Sequence, residues 1–354
     1  MTDDVALPAD AVFAPLPPIK LVSLVVVAYN EQDCLPDLLA DIATQDFPHN
    51  MIELLLVNSA SSDCTQQLMQ GFAAGQHDFQ RVLLLQNPAG FLPHGCNVAL
   101  AAYAGDVFLR IDAHARIPAD FVRRNVQVLQ AGHWACGGLR PVALRKPNPW
   151  GEVLLAAESS AFGSSPAAYR RNPQTAGVDV KSVFHGAYRR QVLEAVGRYD
   201  ERLLRTEDND MSLRIRQAGY RIHMDPGIRS QQYLRSSLLA LLSQKAANGF
   251  WIGRTLLVQP KAVSLAHLVP AAFSVCLLAT ILLGIFLSWL PLIALAACYL
   301  ACAIAISVKA AADSPQRNAR FAALPLVVLA MHICYGAGTL AGLFRGLFGR
   351  QRRH

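Results

Sequence analysis

Residues 21–131 alternate short apolar runs with amphipathic stretches. The runs at 21–28, 52–57, 81–86 and 107–111 are dominated by Val, Leu and Ile, and segments such as 35–44 and 64–74 space apolar residues at helical intervals. Runs of this length with few polar positions suit strands buried on both faces. Their alternation with helices predicts a parallel βαβ sheet covered on each side. Ligands of such sheets gather outside the carboxyl ends of the strands, which directs attention to the residues after each run.

From Trp134 to Tyr233 the pattern loosens, Gly, Pro and Ser accumulate, and 146–151 and 164–177 read as loops. A helix is predicted over 208–218, stopped by Gly219 and opening in the acidic cluster Thr206-Glu207-Asp208-Asn209-Asp210. Residues 235–257 set Leu238, Leu241, Leu242, Phe250 and Ile252 beside Lys245 and Arg254, which fits a helix in a membrane interface and an ordinary surface helix equally. Between Lys261 and Lys309 no charged residue intervenes, enough for two bilayer crossings at about 20 apolar residues each. Pro291 divides this run into 268–289 and 291–308. A charged loop follows, then 321–343, where Pro325, Gly336, Gly338 and Gly342 leave spanning and re-entrant readings open.

Composition agrees with a division into an N-terminal tail (1–20), an α/β domain (21–234), an interface helix (235–260) and a transmembrane region with a basic tail (261–354). With 53% hydrophobic and only 16% charged residues in 354, the chain is not a disordered one. The net charge of +7 arises largely beyond residue 308, where Lys309, Arg317, Arg320, Arg345, Arg350, Arg352 and Arg353 face only Asp313. Arginines flanking apolar segments suit anionic headgroups on the cytoplasmic side, so membrane lipids rather than nucleic acid are the expected partner of this charge. Asp3, Asp4, Asp10 and the prolines of residues 1–20 do not read as a secretory leader. The eight cysteines form no CxxC pair and read as small hydrophobes of a reducing compartment.

Three clusters could carry chemistry. The first run ends Ala28-Tyr29-Asn30-Glu31, without the glycine turn that a dinucleotide needs for close approach. The fourth runs into Asp112-Ala113-His114, a carboxylate and an imidazole two positions apart on an extended segment. They suit a divalent cation shared with phosphate oxygens, and equally an ordinary strand-end turn. In the acidic cluster, Asp210 fits helix capping, whereas Glu207 and Asp208 together exceed what one cap needs and could accept a proton from a sugar hydroxyl.

Tyr29-Asn30-Glu31, Asp112-Ala113-His114 and Glu207-Asp208, in this order and spacing, resemble the family 2 glycosyltransferases of the GT-A fold. Arg110-Ile-Asp-Ala-His-Ala115, Val183-Phe-His-Gly-Ala-Tyr-Arg-Arg190, Gly197-Arg-Tyr-Asp-Glu201 and Tyr233-Leu-Arg235-Ser-Ser237 narrow the likeness to succinoglycan-type exopolysaccharide glucosyltransferases, over about residues 20 to 257. The resemblance implies an α/β GT-A nucleotide-diphospho-sugar transferase fold with a C-terminal transmembrane region. It implies inverting transfer of one hexose, glucose from UDP-glucose, to a polyprenyl-diphosphate-linked saccharide, beside other glycan-assembly proteins. It places the catalytic domain on the cytoplasmic face of a cell inner membrane crossed more than once. By the same resemblance Ala28, Tyr29, Glu31, Asn58 and Asp112 line the nucleotide-sugar site, Asp112 and His114 hold Mg or Mn, Asp208 is the catalytic base, and Glu207 orients the acceptor. His185 faces the acceptor, or is a structural histidine in a glycine turn. Arg235 clamps a diphosphate, or anchors to headgroups.

Three departures from the family pattern stand out. Asn58 and Ser59 replace two aspartates, and an Asn still offers an amide to a uracil edge. Gln232-Tyr-Leu-Arg235-Ser236 lacks the Trp of processive synthases, which favours single-sugar transfer over polymerisation. Cys96-Asn97 stands where a basic residue commonly precedes the asparagine. A processive synthase and a non-enzymatic assembly subunit are the competing readings.

Overall fold

The computed structural model describes residues 16–75, 77–160, 162–163, 176–234, 237–314 and 318–348. In chain order the elements are β1 Val22–Ala28, α1 Leu35–Ala43, β2 Ile52–Asn58, α2 Thr65–Ala74, β3 Arg81–Gln86, α3 Leu92–Ala102, β4 Val107–Asp112, β5 Ala115–Arg116, α4 Phe121–Gln130, β6 Ala135–Leu139, β7 Val142–Ala143, α5 Pro149–Ser159, β8 Val178–Val180, β9 Ala187–Arg189, α6 Arg190–Val196, α7 Glu207–Gln217, β10 Ile222–Arg229, β11 Gln231–Tyr233, α8 Leu238–Val258, α9 Leu265–Phe286, α10 Leu290–Asp313 and α11 Leu324–Phe348. They divide into two units, one of Met1–Pro141 with Ala168–Gln232 and one of Val142–Ala167 with Tyr233–His354.

The first unit is built on an eight-stranded sheet in the order β3-β2-β1-β4-β9-β6-β10-β8. β3, β2, β1 and β4 run parallel, β9 is antiparallel to both β4 and β6, and β8 pairs antiparallel with β10. Every residue of β1 and β2 is buried, as parallel strands covered on both faces require. Successive side chains supply opposite cores. Leu24 and Val26 pack with Leu38 and Ile42 of α1 and Val122 and Val126 of α4, whereas Val25 and Val27 pack with Cys96 and Ala99 of α3 and Met211 and Ile215 of α7. This α/β sheet is the fold class that the sequence predicts.

One sequence expectation changes. The segment 146–151 is not all loop, because α5 starts at Pro149, where Asn148 caps it by accepting from Gly151 N–H at 2.8 Å. Proline at the first helical position has no N–H to lose, so it opens a helix that it would break elsewhere. Of the second expected loop, 164–175 lies outside the described residues.

Among the described residues, the second unit contains three helices long and apolar enough to cross a membrane, at Leu265–Phe286, Leu290–Asp313 and Ala319–Phe348. α11 is continuous through Gly336, Gly338 and Gly342, so these glycines do not interrupt it. They serve close approach. A Cβ on Gly338 or Gly342 would lie 2.2 or 2.0 Å from the Ala246 or Phe250 carbonyl oxygen of α8, and one on Gly249 or Gly253 of α8 would meet α11 backbone equally closely. Small residues four apart on both helices let their backbones touch, the packing favoured where no water drives association. Lys245 of α8 forms a buried 2.6 Å ion pair with Glu158 of α5.

Membrane attachment is expected to be intrinsic, because α9 and α10 leave large apolar faces uncovered within this unit. Alkaline carbonate should leave the full-length chain in the membrane pellet. Its release into the supernatant would overturn the transmembrane assignment.

Candidate active site

The loops after β1 and β2 are bound to one another. Ser59 N–H donates to the Ala28 carbonyl at 2.8 Å, Ser62 N–H to Asn30 Oδ1 at 2.8 Å, and Glu31 N–H to Thr65 Oγ1 at 2.8 Å. Asn30 adopts φ +53°, a left-handed turn that asparagine tolerates. Ala28 ends β1 buried, whereas the Tyr29 ring is 56% exposed. Asn58 is buried and committed inside the fold. Its amide donates to Gln66 Oε1 at 3.0 Å and Gln86 Oε1 at 3.1 Å, and its Oδ1 accepts from Ser61 N–H. Both amide hydrogens are therefore used, and the donor role toward a base edge implied by resemblance would require these bonds to break.

β4 carries the charge that organises the site. Arg110 is 5% exposed, and its guanidinium donates to Glu207 Oε1 at 3.1 Å and Asp112 Oδ1 at 3.3 Å. The left-handed His185, at φ +51°, faces the other oxygen of Asp112, with Nε2 3.7 Å from Oδ2. Ser230 Oγ lies 2.8 Å from His185 Nδ1, a network that fits a hydroxyl donating to Nδ1 and a proton on Nε2. Burial would raise Asp112, but the His185 imidazole and the Arg110 cation hold its carboxyl well below the usual range. His185 itself is lowered by burial. Its structural and pocket-facing readings meet in one place: the turn histidine also lines a cavity with Arg110, Phe184, Tyr188, Tyr199 and Asp208.

Glu207 and Asp208 open α7 with different surroundings. Glu207 is 2% exposed and Oε2 has no hydrogen-bond partner, so burial and then the Asp208 charge push it up to about 8, against Arg110. Asp208 reaches the cavity and is also raised by burial, opposed by Arg110 and by the Asn209 N–H. Asp210 is no cap. Its carboxylate accepts from Arg214 Nε one turn on, at 2.8 Å.

His114 is held at both ring nitrogens, with Nδ1 3.0 Å from Glu31 Oε1 and Nε2 2.8 Å from the Gln232 amide nitrogen. The contacts fit Nδ1–H donating to Glu31 and Gln232 donating to a Nε2 lone pair. β11 brings Gln232 there by pairing with β5, Gln232 opposite Ala115. Asp112 supplies an oxygen of the kind a hard cation takes and His114 a borderline nitrogen, with the tautomer set by Glu31, and Gln232 must turn away to free Nε2. Arg235 lies outside the described residues.

Sequence reasoning assigned no role to Arg110, Gln232 or Asn97. The signal for Arg110 was a charge inside the apolar strand Val107-Phe-Leu-Arg-Ile, since a fully buried Arg needs partners. Cys96, the residue of the third departure, is fully buried in the core, and Asn97 follows it. The Asn97 side chain bonds both the N–H and the carbonyl of Tyr199, at 2.8 and 2.9 Å, and so sets a wall of the cavity.

Residues 23–197 match the family described as Glycosyl transferase family 2. The chain is 22% identical over 338 residues to a dolichyl N-acetyl-alpha-D-glucosaminyl phosphate 3-beta-D-2,3-diacetamido-2,3-dideoxy-beta-D-glucuronosyltransferase of Methanococcus voltae, covering 92% of this chain and 98% of that one. It is 24% identical to succinoglycan biosynthesis protein ExoA of Rhizobium meliloti, over 89% of this chain and 92% of the relative. An undecaprenyl-phosphate 4-deoxy-4-formamido-L-arabinose transferase of Pseudomonas syringae is 29% identical over 44% of this chain and 48% of its own. Among solved structures, mannosyltransferase PcManGT from Pyrobaculum calidifontis, in complex with GDP-Man and Mn2+, superposes with a TM-score of 0.56 at 18% identity, covering 95% of this chain and 89% of that one, a likeness of fold.

The raised Glu207 has a consequence for stability. Its carboxyl binds a proton more tightly folded than unfolded, so the native state loses stability as pH rises from about 4.5 toward 8. Glu207→Gln removes that loss, and its melting temperature relative to wild type should climb between pH 5 and 8, by the equivalent of about 1 kcal/mol or more. Parallel pH profiles would show that Glu207 is ionised throughout.

Proposed function

Starting from a chain whose residues 23–197 are a glycosyl transferase family 2 domain, we propose that it moves a single hexose, glucose from UDP-glucose, to a lipid-linked acceptor in exopolysaccharide or other cell-envelope glycan assembly, inverting the anomeric carbon. The observation that carries this reading is Asp208, a half-buried carboxylate with raised proton affinity that lines the cavity beside Arg110 and His185. The acceptor oxygen bonds to the anomeric carbon as the bond to the nucleotide diphosphate breaks, and the hydroxyl proton passes to Asp208. A carboxylate raised toward neutrality is a better base than one near 4, provided it stays ionised. Glu207 acts through Arg110 and sets its position, while Arg110 keeps Asp112 charged.

The acceptor class is supported by the relatives, whose names specify dolichyl-linked and undecaprenyl-phosphate acceptors. A lipid-linked acceptor also suits a chain with three helices able to cross a membrane. The reading places the protein in the cell inner membrane as a multi-pass protein, with the first unit cytoplasmic. Tyr29, Ala28 and Glu31 border the nucleotide, and Asn58 shapes that border from behind. Asp112 and His114 hold Mg or Mn, which supplies positive charge to the leaving diphosphate.

Two outcomes test this. Asp208→Asn keeps shape and hydrogen bonding but removes basicity, so it should retain UDP-sugar binding and lose about 10² or more in kcat. Asp210→Asn loses the Arg214 ion pair at a cost of about 1 kcal/mol and keeps most activity. A dead Asp210→Asn beside an active Asp208→Asn would put the base on the wrong carboxylate. Excess chelator should abolish transfer and Mg or Mn should restore it. Undiminished transfer in chelator, with Asp112→Ala also active, would remove the cation from the reaction.

A further inference from the structure

A second cluster of ligating side chains sits at the other edge of the large sheet. His133 precedes β6, Asp179 lies on the edge strand β8, and His223 lies near the start of β10, directly opposite Asp179 in the antiparallel ladder. One ligand atom from each of the three lies within 4.8 Å of the others. The imidazoles of His133 and His223 stack with centroids 3.8 Å apart, and His223 Nδ1 is 3.3 Å from Asp179 Oδ1. Ser230, which holds the His185 ring, lies farther along the same stretch of chain, roughly 20 Å away at about 3.3 Å per residue. The cluster therefore has no part in the site described above.

We propose that His133, Asp179 and His223 bind a first-row divalent transition metal, zinc in the simplest case, which staples β8 to β10 and to the turn before β6. Zinc takes nitrogen and carboxylate ligands at about 2.0–2.2 Å in a tetrahedron, which sets ligand atoms about 3.3 Å apart. His223 and Asp179 already have that separation, and closing the third ligand requires a shift of at most about 1.5 Å together with rotation of the half-exposed His133 ring out of its stack on His223, so that both in-plane lone pairs meet at one point. Gly177 leaves room for the His223 ring, since a Cβ there would lie 2.2 Å from Nε2. That packing directs Nδ1 toward Asp179. Arg221, with NH1 3.5 Å from Asp179 Oδ2, offsets the carboxylate charge without taking the oxygen that faces His223. The metal would be structural. β8 leads directly into the Val183-Phe184-His185 turn, so the staple would hold the strand that feeds the cavity wall.

Zinc titration of full-length protein in detergent, after chelator stripping and dialysis, tests this by calorimetry and thermal unfolding. Wild type should bind one zinc with a low-micromolar or tighter Kd and melt at a higher temperature when loaded. Asp112→Asn/His114→Ala, which removes the other candidate site, should keep both properties. His133→Ala/His223→Ala should weaken binding at least tenfold. Asp179→Asn, an exposed substitution, should do the same with its metal-free melting temperature unchanged, which separates lost ligation from lost folding. Wild-type binding weaker than about 100 μM, equal binding by wild type and Asp179→Asn, or loss confined to Asp112→Asn/His114→Ala would overturn the proposal.

Discussion

A single buried guanidinium holds the candidate site together. Arg110 on β4 reaches Asp112 on its own strand and Glu207 on α7, 97 positions away in the chain. Three carboxylates, Asp112, Glu207 and Asp208, gather around this one cation in a region largely closed to water. Arg110 lowers all three, yet their proton affinities diverge with their surroundings: Asp112, also faced by His185, falls, while burial raises Glu207 and Asp208. Removing one partner of a buried charge pair strands the other, at a cost of about 3–5 kcal/mol. The geometry of the carboxylates is thus a consequence of this residue, and the spread of their proton affinities follows from burial and from the His185 ring beside Asp112.

Around this centre the glycosyltransferase fold supplies precise but inexpensive supports. Asn97 on α3 fixes Tyr199, Ser230 fixes His185, and Glu31 with Gln232 fixes His114. Each support comes from a different segment, so the site forms only when the sheet is complete. The second unit follows another rule, in which glycines on α8 and α11 replace hydrophobic side chains as the means of close contact.

The legible part of the sequence was the part buried on both faces. β1, β2 and β4 show as apolar runs because a polar residue buried there, such as Ser23, Glu53 or Arg110, must find a partner, and the residues after these strands carry the site. β6, β8, β9 and β10 were not anticipated, because β6 is Ala-Cys-Gly-Gly-Leu, β8 and β9 are three residues each, and β10 contains Asp225, Pro226 and Gly227. Such strands lack the β-branched alternation that identifies a strand, and they form because neighbouring strands pair with them. Helix α3 was hidden by Pro93, which sits in its first turn, and by Gly95 and Asn97, whose uses are tertiary. Of the site, Asp112, His114, His185, Glu207 and Asp208 were visible as residue types in a family order. What each touches was not, and so Asp210 read as a cap and Arg110 had no role.

The central claim is that Asp208 drives a single displacement which adds one sugar to a lipid-linked acceptor. It is tested most directly by the product that purified full-length protein makes from an α-linked nucleotide hexose and a polyprenyl-linked acceptor, analysed by mass and by the coupling constant of the new anomeric proton. The account predicts one added residue in β linkage. An α-linked product would contradict the single displacement, and a ladder of sugars would contradict transfer of one.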